Sequence, residues 1–274
     1  MGKISDALER HKRERSIKTE RLYNEDSERS VPKDSGTALA KKFSMSHEFS
    51  HKVVVLSAPD SVDAENFKVL RAQVLFARDR ERPRTIMVTS SFPGEGKTFV
   101  AANLAVSIAM GIDEYVLLVD CDLRRPGQHK MLSYSNTQGL HEYLTGQKQL
   151  SELIIRTGID KLSFLPSGKT PSNPAELLSS TKMEEFLKDK KGPYKDRFIV
   201  IDTTPSQVTS EANILARYVD VIILIVMAQK SPKEVIRKTI DNLGKEKILG
   251  IVFNGYNQAH KGYYKYYNKY YRAK

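Results

Sequence analysis

The sequence has little that could cross-link the chain or anchor it. Its 274 residues include a single cysteine, Cys121, which excludes a disulfide scaffold and is typical of a reducing compartment. No run approaches the roughly 18 apolar residues that a membrane-spanning helix needs, and no secretory signal opens the chain. Asp6 stands where the myristoylation pattern needs Ser or Thr. We therefore expect a cytoplasmic protein that is recruited to the inner face of a membrane through a partner.

Positive charge is in excess. Lys and Arg number 44 against 33 Asp and Glu, which gives a formal net charge of +11 at pH 7. Such an excess favours an anionic partner: nucleic acid, a membrane surface or phosphate groups. Residues 260–274 carry five Lys or Arg and no Asp or Glu, so almost half of the net charge lies at the carboxyl end.

The composition divides the chain into three parts. Residues 1–45 have few apolar side chains and predict a short helix with a flexible linker, which would be either a solvated tail or a docking helix. Residues 46–254 are expected to form the folded domain. Residues 255–274 contain no aliphatic side chain larger than alanine, so we expect a tail that adds nothing to a core.

Within the folded part, apolar β-rich runs alternate with helical patterns. Continuous runs such as 221–226 predict strands that are buried on both faces. The predicted strands are 53–56, 85–89, 115–119, 162–165, 198–201, 221–226 and 248–253, and the predicted helices are 64–78, 97–110, 175–187, 210–217 and 232–243. This alternation predicts an α/β fold with a parallel sheet wrapped by helices on both faces, and function at the carboxyl ends of its strands.

A glycine-rich loop joins the strand at 85–89 to the next helix. A strand, a glycine loop, Gly-Lys-Thr and a helix form the context of a phosphate-binding P-loop. Gly94 and Gly96 would let backbone N–H groups turn toward phosphates, and Lys97 would reach the β and γ oxygens. Thr98 would offer its hydroxyl to Mg²⁺. Ser91 departs from the usual Gly or Ala at the start of this pattern.

Carboxylates follow two of the predicted strands. Asp120 and Asp122 follow 115–119, and Asp202 follows 198–201. Residues two apart in extended backbone point to the same side, and two anions placed together need a cation between them. Mg²⁺ on nucleotide phosphates would supply that cation, and Asp202 has the position of a Walker B carboxylate. The sequence therefore predicts a nucleotide–Mg²⁺ site.

Together these motifs resemble the bacterial tyrosine kinases (BY-kinases), P-loop enzymes of the deviant-Walker branch that also holds the partition ATPases. Over roughly residues 57–274 the chain has a Walker A loop at 93–98, an Asp-x-Asp-x-Arg Walker A′ motif at 120–124, a Walker B ending at 202–205 and a family-like segment at 173–178. A carboxyl-terminal tyrosine cluster completes the set: Tyr263, Tyr264, Tyr266, Tyr267, Tyr270 and Tyr271.

The resemblance implies an ATP- and Mg²⁺-dependent autokinase that transfers the γ-phosphate to these tail tyrosines, in trans within an oligomer. It implies that Thr98, Asp122 and Asp202 hold Mg²⁺ directly or through water, and that Arg124 either stabilises the transferred phosphate or approaches the phosphates from a neighbouring subunit. Asp120, or alternatively Asp122, would accept the proton of the tyrosine hydroxyl. The implied nucleotide-binding residues are Pro93, Gly94, Glu95, Gly96, Lys97, Thr98, Phe99 and, next to adenine, Asn254.

The resemblance also implies partners. The Glu-x-x-Arg-x-x-Arg helix that packs the family's subunits into a ring corresponds to Glu65, Lys68 and Arg71, where Lys68 lacks the planar fork of Arg. A transmembrane chain-length regulator of polysaccharide export would be the activator, and a cognate tyrosine phosphatase would reverse the reaction. The implied role is regulation of exopolysaccharide or capsule synthesis, and nucleic acid is not an expected partner.

A second class of protein stays open at this point: a partition or positioning ATPase that binds DNA or membrane. Those ATPases carry a second lysine early in the loop, where this chain has Ser91, Phe92 and Pro93. For the tail, the alternative to phosphorylation is stacking on single-stranded nucleic acid, because its tyrosines alternate with lysines.

Overall fold

The computed structural model describes residues 49–77, 82–188 and 196–256. The predicted amino-terminal part, 1–45, and the six tail tyrosines lie outside the described residues. Within those ranges, no helix has both the length and the apolar character to cross a membrane.

A seven-stranded sheet forms the centre of the described part, with the order β3-β4-β2-β5-β1-β6-β7. All neighbouring pairs are parallel except the short edge pair β3–β4. The strands are β1 (Thr85–Ser90), β2 (Tyr115–Asp120), β3 (Ile155–Arg156), β4 (Leu162–Leu165), β5 (Arg197–Asp202), β6 (Val221–Met227) and β7 (Ile248–Asn254). The predicted α/β class with a mostly parallel sheet is confirmed.

Helices cover both faces because the central strands are apolar on both sides. In β1, for example, Ile86 and Val88 belong to one buried cluster and Met87 belongs to the other. The helices are α1 (Val54–Ser57), α2 (Val62–Leu75), α3 (Lys97–Ala109), α4 (Gln128–Leu132), α5 (Leu140–Leu144), α6 (Leu150–Leu153), α7 (Pro174–Leu178), α8 (Thr181–Lys188), α9 (Glu211–Leu215) and α10 (Lys233–Leu243), followed by a 3₁₀ turn at Lys245–Lys247.

Two predicted elements were wrong. The run 53–56 was expected to be a strand, but Val54–Ser57 is helical. Its backbone is held by the buried Asn103 of α3, whose Oδ1 accepts from Val55 N at 3.2 Å, and a run of four apolar residues cannot distinguish strand from buried helix. The single helix predicted at 175–187 is two helices. The break lies at Ser180, whose hydroxyl accepts from Met183 N at 3.3 Å and starts the second helix.

The register of the sheet brings the candidate residues to one edge. Strands β2, β5 and β1 are neighbours, and Asp120 is paired directly with Asp202. Val88 of β1 is in register with the same Asp202, and the glycine-rich loop leaves β1 two residues later. The carboxyl edge of three adjacent strands therefore carries the loop and both strand-end carboxylates.

Candidate active site

The loop after β1 has the backbone of a phosphate-binding turn. Gly94 and Gly96 have φ of 80° and 96°, in the left-handed region that L side chains rarely adopt. A Cβ on Gly96 would also meet the side-chain amide of Asn254, so any other residue there would displace that side chain. Helix α3 begins at Lys97, and its free N–H groups face the loop, as anion binding at a helix start requires.

Glu95 braces this loop from inside. Its carboxylate is buried and accepts from Phe92 N at 2.7 Å and from Met227 N at 3.2 Å, and the Ser231 hydroxyl donates to it as well. The sequence predicted Glu95 to bind nucleotide. In the structure these three hydrogen bonds occupy the Glu95 carboxylate, so only the backbone of Glu95 is available to a ligand. Pro93 lies exposed at the loop tip.

Lys97 joins the loop to the carboxylates. Its Nζ lies 2.9 Å from Asp122 Oδ2, 3.4 Å from Thr98 Oγ1 and 4.0 Å from Asp202 Oδ1. Burial lowers the pKa of Lys97, but the charges of Asp202 and Asp122 raise it by more, so the net pKa is above its ordinary value. Lys97 is therefore a permanent cation that draws two of the predicted metal-binding residues to the phosphate loop.

Asp120 is held by the loop that follows β2. Its Oδ2 accepts from Gly127 N at 3.0 Å and Gln128 N at 2.9 Å, and its Oδ1 accepts from Asp122 N at 3.2 Å. Burial, followed by the charge of Asp202, raises the pKa of Asp120 to about 8, although the two loop amides oppose the shift. A carboxyl with a pKa near the working pH can both take and return a proton.

Asp122 lies beyond the end of β2, so the extended backbone that the sequence argument assumed stops at Asp120. Asp122 Oδ2 lies 2.9 Å from Lys97 Nζ, and Asp122 Oδ1 accepts from Arg125 N at 2.9 Å. The two aspartates still share one site, because Asp122 N donates to Asp120 Oδ1 at 3.2 Å.

The residues around Asp202 fit a divalent cation. Burial raises the pKa of Asp202, and the charge of Lys97 opposes this shift. Asp202 Oδ2 accepts from Gln128 Nε2 at 3.0 Å, whereas Oδ1 is a buried oxygen without a hydrogen-bond partner in the described part of the chain. Mg²⁺ prefers carboxylate, hydroxyl and phosphate oxygens, and Asp202, Thr98 and Asp122 offer these donors together.

Arg124 pairs with a buried glutamate and not with the aspartates of the site. Its Nε lies 2.7 Å from Oε1 of Glu211, a carboxylate that is 1% exposed, whereas the Arg124 side chain is 52% exposed. Burial raises the pKa of Glu211, but bonds from Thr209 and Arg124 lower it by more, so Glu211 is a persistent anchor. The predicted phosphate-stabilising arginine is thus fixed at one nitrogen and open to solvent.

Asn254 and Phe99 lie on the other side of the loop. Asn254 Nδ2 donates to Glu95 O at 2.9 Å, and the Phe99 ring packs edge to face on Phe67 with centroids 5.7 Å apart. Both residues line a cleft of about 690 Å³ between α2, α3 and β7, which Tyr256 also lines. The cleft is next to the phosphate loop and has room for a nucleotide base.

The predicted oligomer residues lie on α2. Glu65 and Lys68 form an exposed ion pair with N–O 2.9 Å. Arg71 instead turns inward and donates from Nη1 to Ser107 O on α3 at 2.8 Å. The helix is therefore tied directly to the helix that begins at Lys97.

Sequence reasoning missed two site residues, Gln128 and Glu211. Both are almost fully buried and polar, and each contacts a residue that the motifs did identify. Gln128 lies outside the Asp-x-Asp-x-Arg motif, and Glu211 lies 87 positions from Arg124, so no local pattern marks either of them.

Comparison with known proteins gives relatives for this architecture. A family model described as an AAA domain matches residues 83–248. Tyrosine-protein kinase YwqD of Bacillus subtilis is 34% identical over 217 residues, which cover 78% of this chain and 90% of YwqD. The solved kinase domain of Escherichia coli tyrosine kinase ETK has a TM-score of 0.70 at 26% identity, covering 85% of this chain and 87% of that chain. MinD of Pyrococcus horikoshii, solved with Mg-ADP, has a TM-score of 0.55 at 29% identity, covering 65% of this chain and 72% of that chain.

The sheet, the glycine loop and the strand-end carboxylates define a P-loop nucleoside triphosphatase of the branch that includes MinD. The similarity to YwqD is more specific, because it extends over most of both chains. The chain belongs to the bacterial tyrosine kinases, a family of tyrosine-protein kinase enzymes. The family prediction from the motifs is confirmed, whereas the roles of individual residues stay predictions.

Proposed function

We propose that this chain is an ATP-dependent tyrosine autokinase that phosphorylates the tyrosines of its own carboxyl-terminal tail. The observation that carries the proposal is the position of Lys97, which begins a helix at a glycine loop and contacts Asp122 at 2.9 Å beside the buried Asp202. Phosphoryl transfer needs this combination of backbone amides, one fixed cation and carboxylates that hold Mg²⁺.

The chain's own residues would bind the nucleotide from two sides. The backbone amides around Gly94 and Gly96 and the start of α3 hold the phosphates, and Lys97 neutralises the β and γ oxygens. Asn254 and the cleft beside Phe99 take the adenine. Thr98, Asp122 and Asp202 would hold Mg²⁺, which when bound neutralises charge on the β- and γ-phosphates.

In the transfer step, a tyrosine hydroxyl oxygen forms a bond to the γ-phosphorus, and the bond from that phosphorus to the β–γ bridging oxygen breaks, so ADP leaves. The hydroxyl proton needs an acceptor, since the ordinary pKa of tyrosine is about 10. Asp120, with its pKa raised to about 8, is the proposed acceptor, and Asp122 is the alternative. Arg124, anchored by Glu211, would stabilise the transferred phosphate.

The proposed acceptors are Tyr263, Tyr264, Tyr266, Tyr267, Tyr270 and Tyr271. Each phosphotyrosine adds about −1.5 to −2 charges, so six would add roughly −9 to −12. The five basic residues of 260–274 would then belong to a segment that is strongly negative. In the proposed ring-like homo-oligomer, α2 contacts a neighbour through the exposed Glu65 and Lys68, while Arg71 fixes α2 to α3. The tail of one subunit would enter the site of its neighbour, and the charge reversal would then separate the ring.

We further propose partners of the kind that the family resemblance implies. A transmembrane chain-length regulator would recruit the chain to the inner face of the membrane and activate it. A tyrosine phosphatase would restore the unphosphorylated tail. The process controlled would be synthesis or export of an exopolysaccharide or capsule.

Mass spectrometry of the purified full chain tests the proposal. After incubation with ATP and Mg²⁺, together with the cytoplasmic segment of a candidate regulator, we expect phosphate on the tail tyrosines. Lys97→Met should remove it, and Lys238→Met, an exposed lysine of α10, should not. An unmodified tail, or equal modification of Lys97→Met, would refute the autokinase. ATP hydrolysis stimulated by DNA with an unmodified tail would favour a partition ATPase.

A further inference from the structure

Gln128 is a buried amide that contacts all three acidic and phosphate-binding segments of the site. Its backbone N–H donates to Asp120 Oδ2 at 2.9 Å. Its side-chain Nε2 donates to Asp202 Oδ2 and to the backbone oxygen of Thr98, both at 3.0 Å. The residue has no exposed surface. It therefore connects the loop after β2, the end of β5 and the first turn of α3.

The orientation of the amide is fixed by its partners. Both Thr98 O and Asp202 Oδ2 are acceptors, so only the NH₂ group of Gln128 can face them. Its Oε1 is consequently a buried acceptor with no hydrogen-bond partner among the described residues. A buried polar atom without a partner is unfavourable unless a ligand or water satisfies it, which is the second sign that the pocket around Asp202 is built for a hydrated ligand.

The hydrogen bond from Gln128 gives the two carboxylate oxygens of Asp202 different surroundings. Oδ2 accepts the hydrogen bond from Gln128, whereas Oδ1 accepts no hydrogen bond from the described residues and faces the charge of Lys97, 4.0 Å from its Nζ. A neutral amide can hold Oδ2 without cancelling the charge of the carboxylate. A lysine or arginine in its place would compete with a cation for the same negative charge.

We propose that Gln128 is a positioning residue that holds Asp202 through Oδ2, so that Oδ1 would be available to bind Mg²⁺. This role rests on the proposed Mg²⁺–nucleotide site. Groups that orient a metal ligand from behind typically change metal affinity by about 10- to 100-fold when they are lost.

The test measures ADP binding as a function of free Mg²⁺, for instance by calorimetry. Gln128→Met keeps the length of the side chain and its backbone bond to Asp120, but it removes the NH₂ donor. We expect the Mg²⁺ concentration for half-maximal tightening of ADP binding to rise by about tenfold. ADP affinity without Mg²⁺ should change by less than about twofold, since Gln128 contacts only the backbone oxygen of Thr98 and none of the loop amides that face the phosphates. Gln147→Met, on an exposed glutamine, should match the wild type in both measurements.

A double-mutant cycle shows whether Gln128 acts through Asp202. In the Asp202→Asn background, Gln128→Met should add less than about twofold to the Mg²⁺ requirement, because the carboxylate that it positions is gone. A full tenfold effect in both backgrounds would overturn the proposal. If Gln128→Met does not fold, Gln128→Leu, which also lacks the donor, undergoes the same titration.

The outcomes separate this inference from the proposed function. Wild-type protein that binds MgADP with the same Mg²⁺ dependence as Gln128→Met would overturn the positioning role and leave the kinase proposal intact. Wild-type protein whose ADP affinity does not respond to Mg²⁺ would overturn both. A raised Mg²⁺ requirement in Gln128→Met alone, with Gln147→Met unchanged, supports the role.

Discussion

Lys97 should matter for stability as well as for phosphate binding, because it is the cation of an otherwise acidic pocket. The side chains of Lys97, Asp122 and Asp202 are 13%, 6% and 0% exposed. Methionine has nearly the same length as lysine, so Lys97→Met removes the charge with little change in packing. Removing one partner of a buried ion pair costs about 3–5 kcal/mol. Since Lys97 keeps some contact with solvent, we expect the free energy of unfolding to fall by about 3 kcal/mol at pH 8.

The size of this loss should depend on pH. Burial raises the pKa of Asp202, and the charge of Lys97 opposes that shift, so the variant has a still higher pKa at Asp202. A carboxyl with a raised pKa binds more protons in the folded state than in the unfolded chain, and stability then falls as pH rises between the two pKa values. The pKa of Lys97 itself is raised, so its charge is constant from pH 6 to 8. The loss should be about 1 kcal/mol smaller at pH 6 than at pH 8.

Urea unfolding at both pH values, followed by far-UV circular dichroism, measures this difference. Lys238→Met is the matched control on an exposed helical lysine, and it should change the free energy of unfolding by less than about 0.5 kcal/mol at either pH. A loss that is equal at pH 6 and pH 8, or one that is larger at pH 6, would refute the reasoning.

Three further predictions concern the described fold. Asn103→Ala should lower the free energy of unfolding by about 2 kcal/mol in urea, because it removes bonds to Val55 N at 3.2 Å and Lys52 O at 3.0 Å; Ala at the exposed Asn66 should cost nothing measurable. Lys247→Met should lower the melting temperature by several degrees, about 1–2 kcal/mol, because its Nζ donates to three backbone carbonyls at the end of α9. Cys121 should resist iodoacetamide in the native protein and react after unfolding, since burial raises its thiol pKa far above the ordinary value; rapid native labelling would contradict its buried position.

The central sheet was predictable because its signals are local. Apolar runs such as 221–226, which are rich in β-branched residues, favour strands that are buried on both faces, and the boundaries of β1, β2, β4, β5, β6 and β7 lie within two residues of the predicted ones. The short edge strand β3 was not predicted. The phosphate loop was equally clear, since Gly94, Gly96 and Lys97 follow a strand and precede a helix. Physical constraints on short segments therefore fixed the positions of β1, β5, β6 and the loop.

The parts that sequence could not supply depend on contacts between distant residues. The run at 53–56 became a helix because Asn103, about fifty residues later, holds its backbone. Glu211 could not be predicted as a site residue, because its role follows from a 2.7 Å contact with Arg124, which lies 87 positions away in the sequence. Glu95 belongs to the predicted binding motif, yet its carboxylate accepts hydrogen bonds from Met227 N and the Ser231 hydroxyl, which lie far along the chain. Tertiary packing decides such roles, and a linear pattern does not contain it.

The charge balance of the pocket leads to a last prediction, which concerns protons. Three aspartates around Lys97 would carry a net −2 if all were ionised, and the site accommodates this partly by raising the pKa of Asp120 to about 8. At pH 7 such a carboxyl is about nine-tenths protonated, and at pH 9 about one-tenth.

A divalent cation at Asp202 and Asp122 would lower the pKa of Asp120 and expel that proton, so MgADP binding should release close to one proton at pH 7 and few at pH 9. Calorimetric titrations in two buffers of different ionisation enthalpy measure the number released. Almost no proton release at either pH would mean that Asp120 is already ionised in the free protein, held by the loop amides of Gly127 and Gln128, and it would refute the raised pKa.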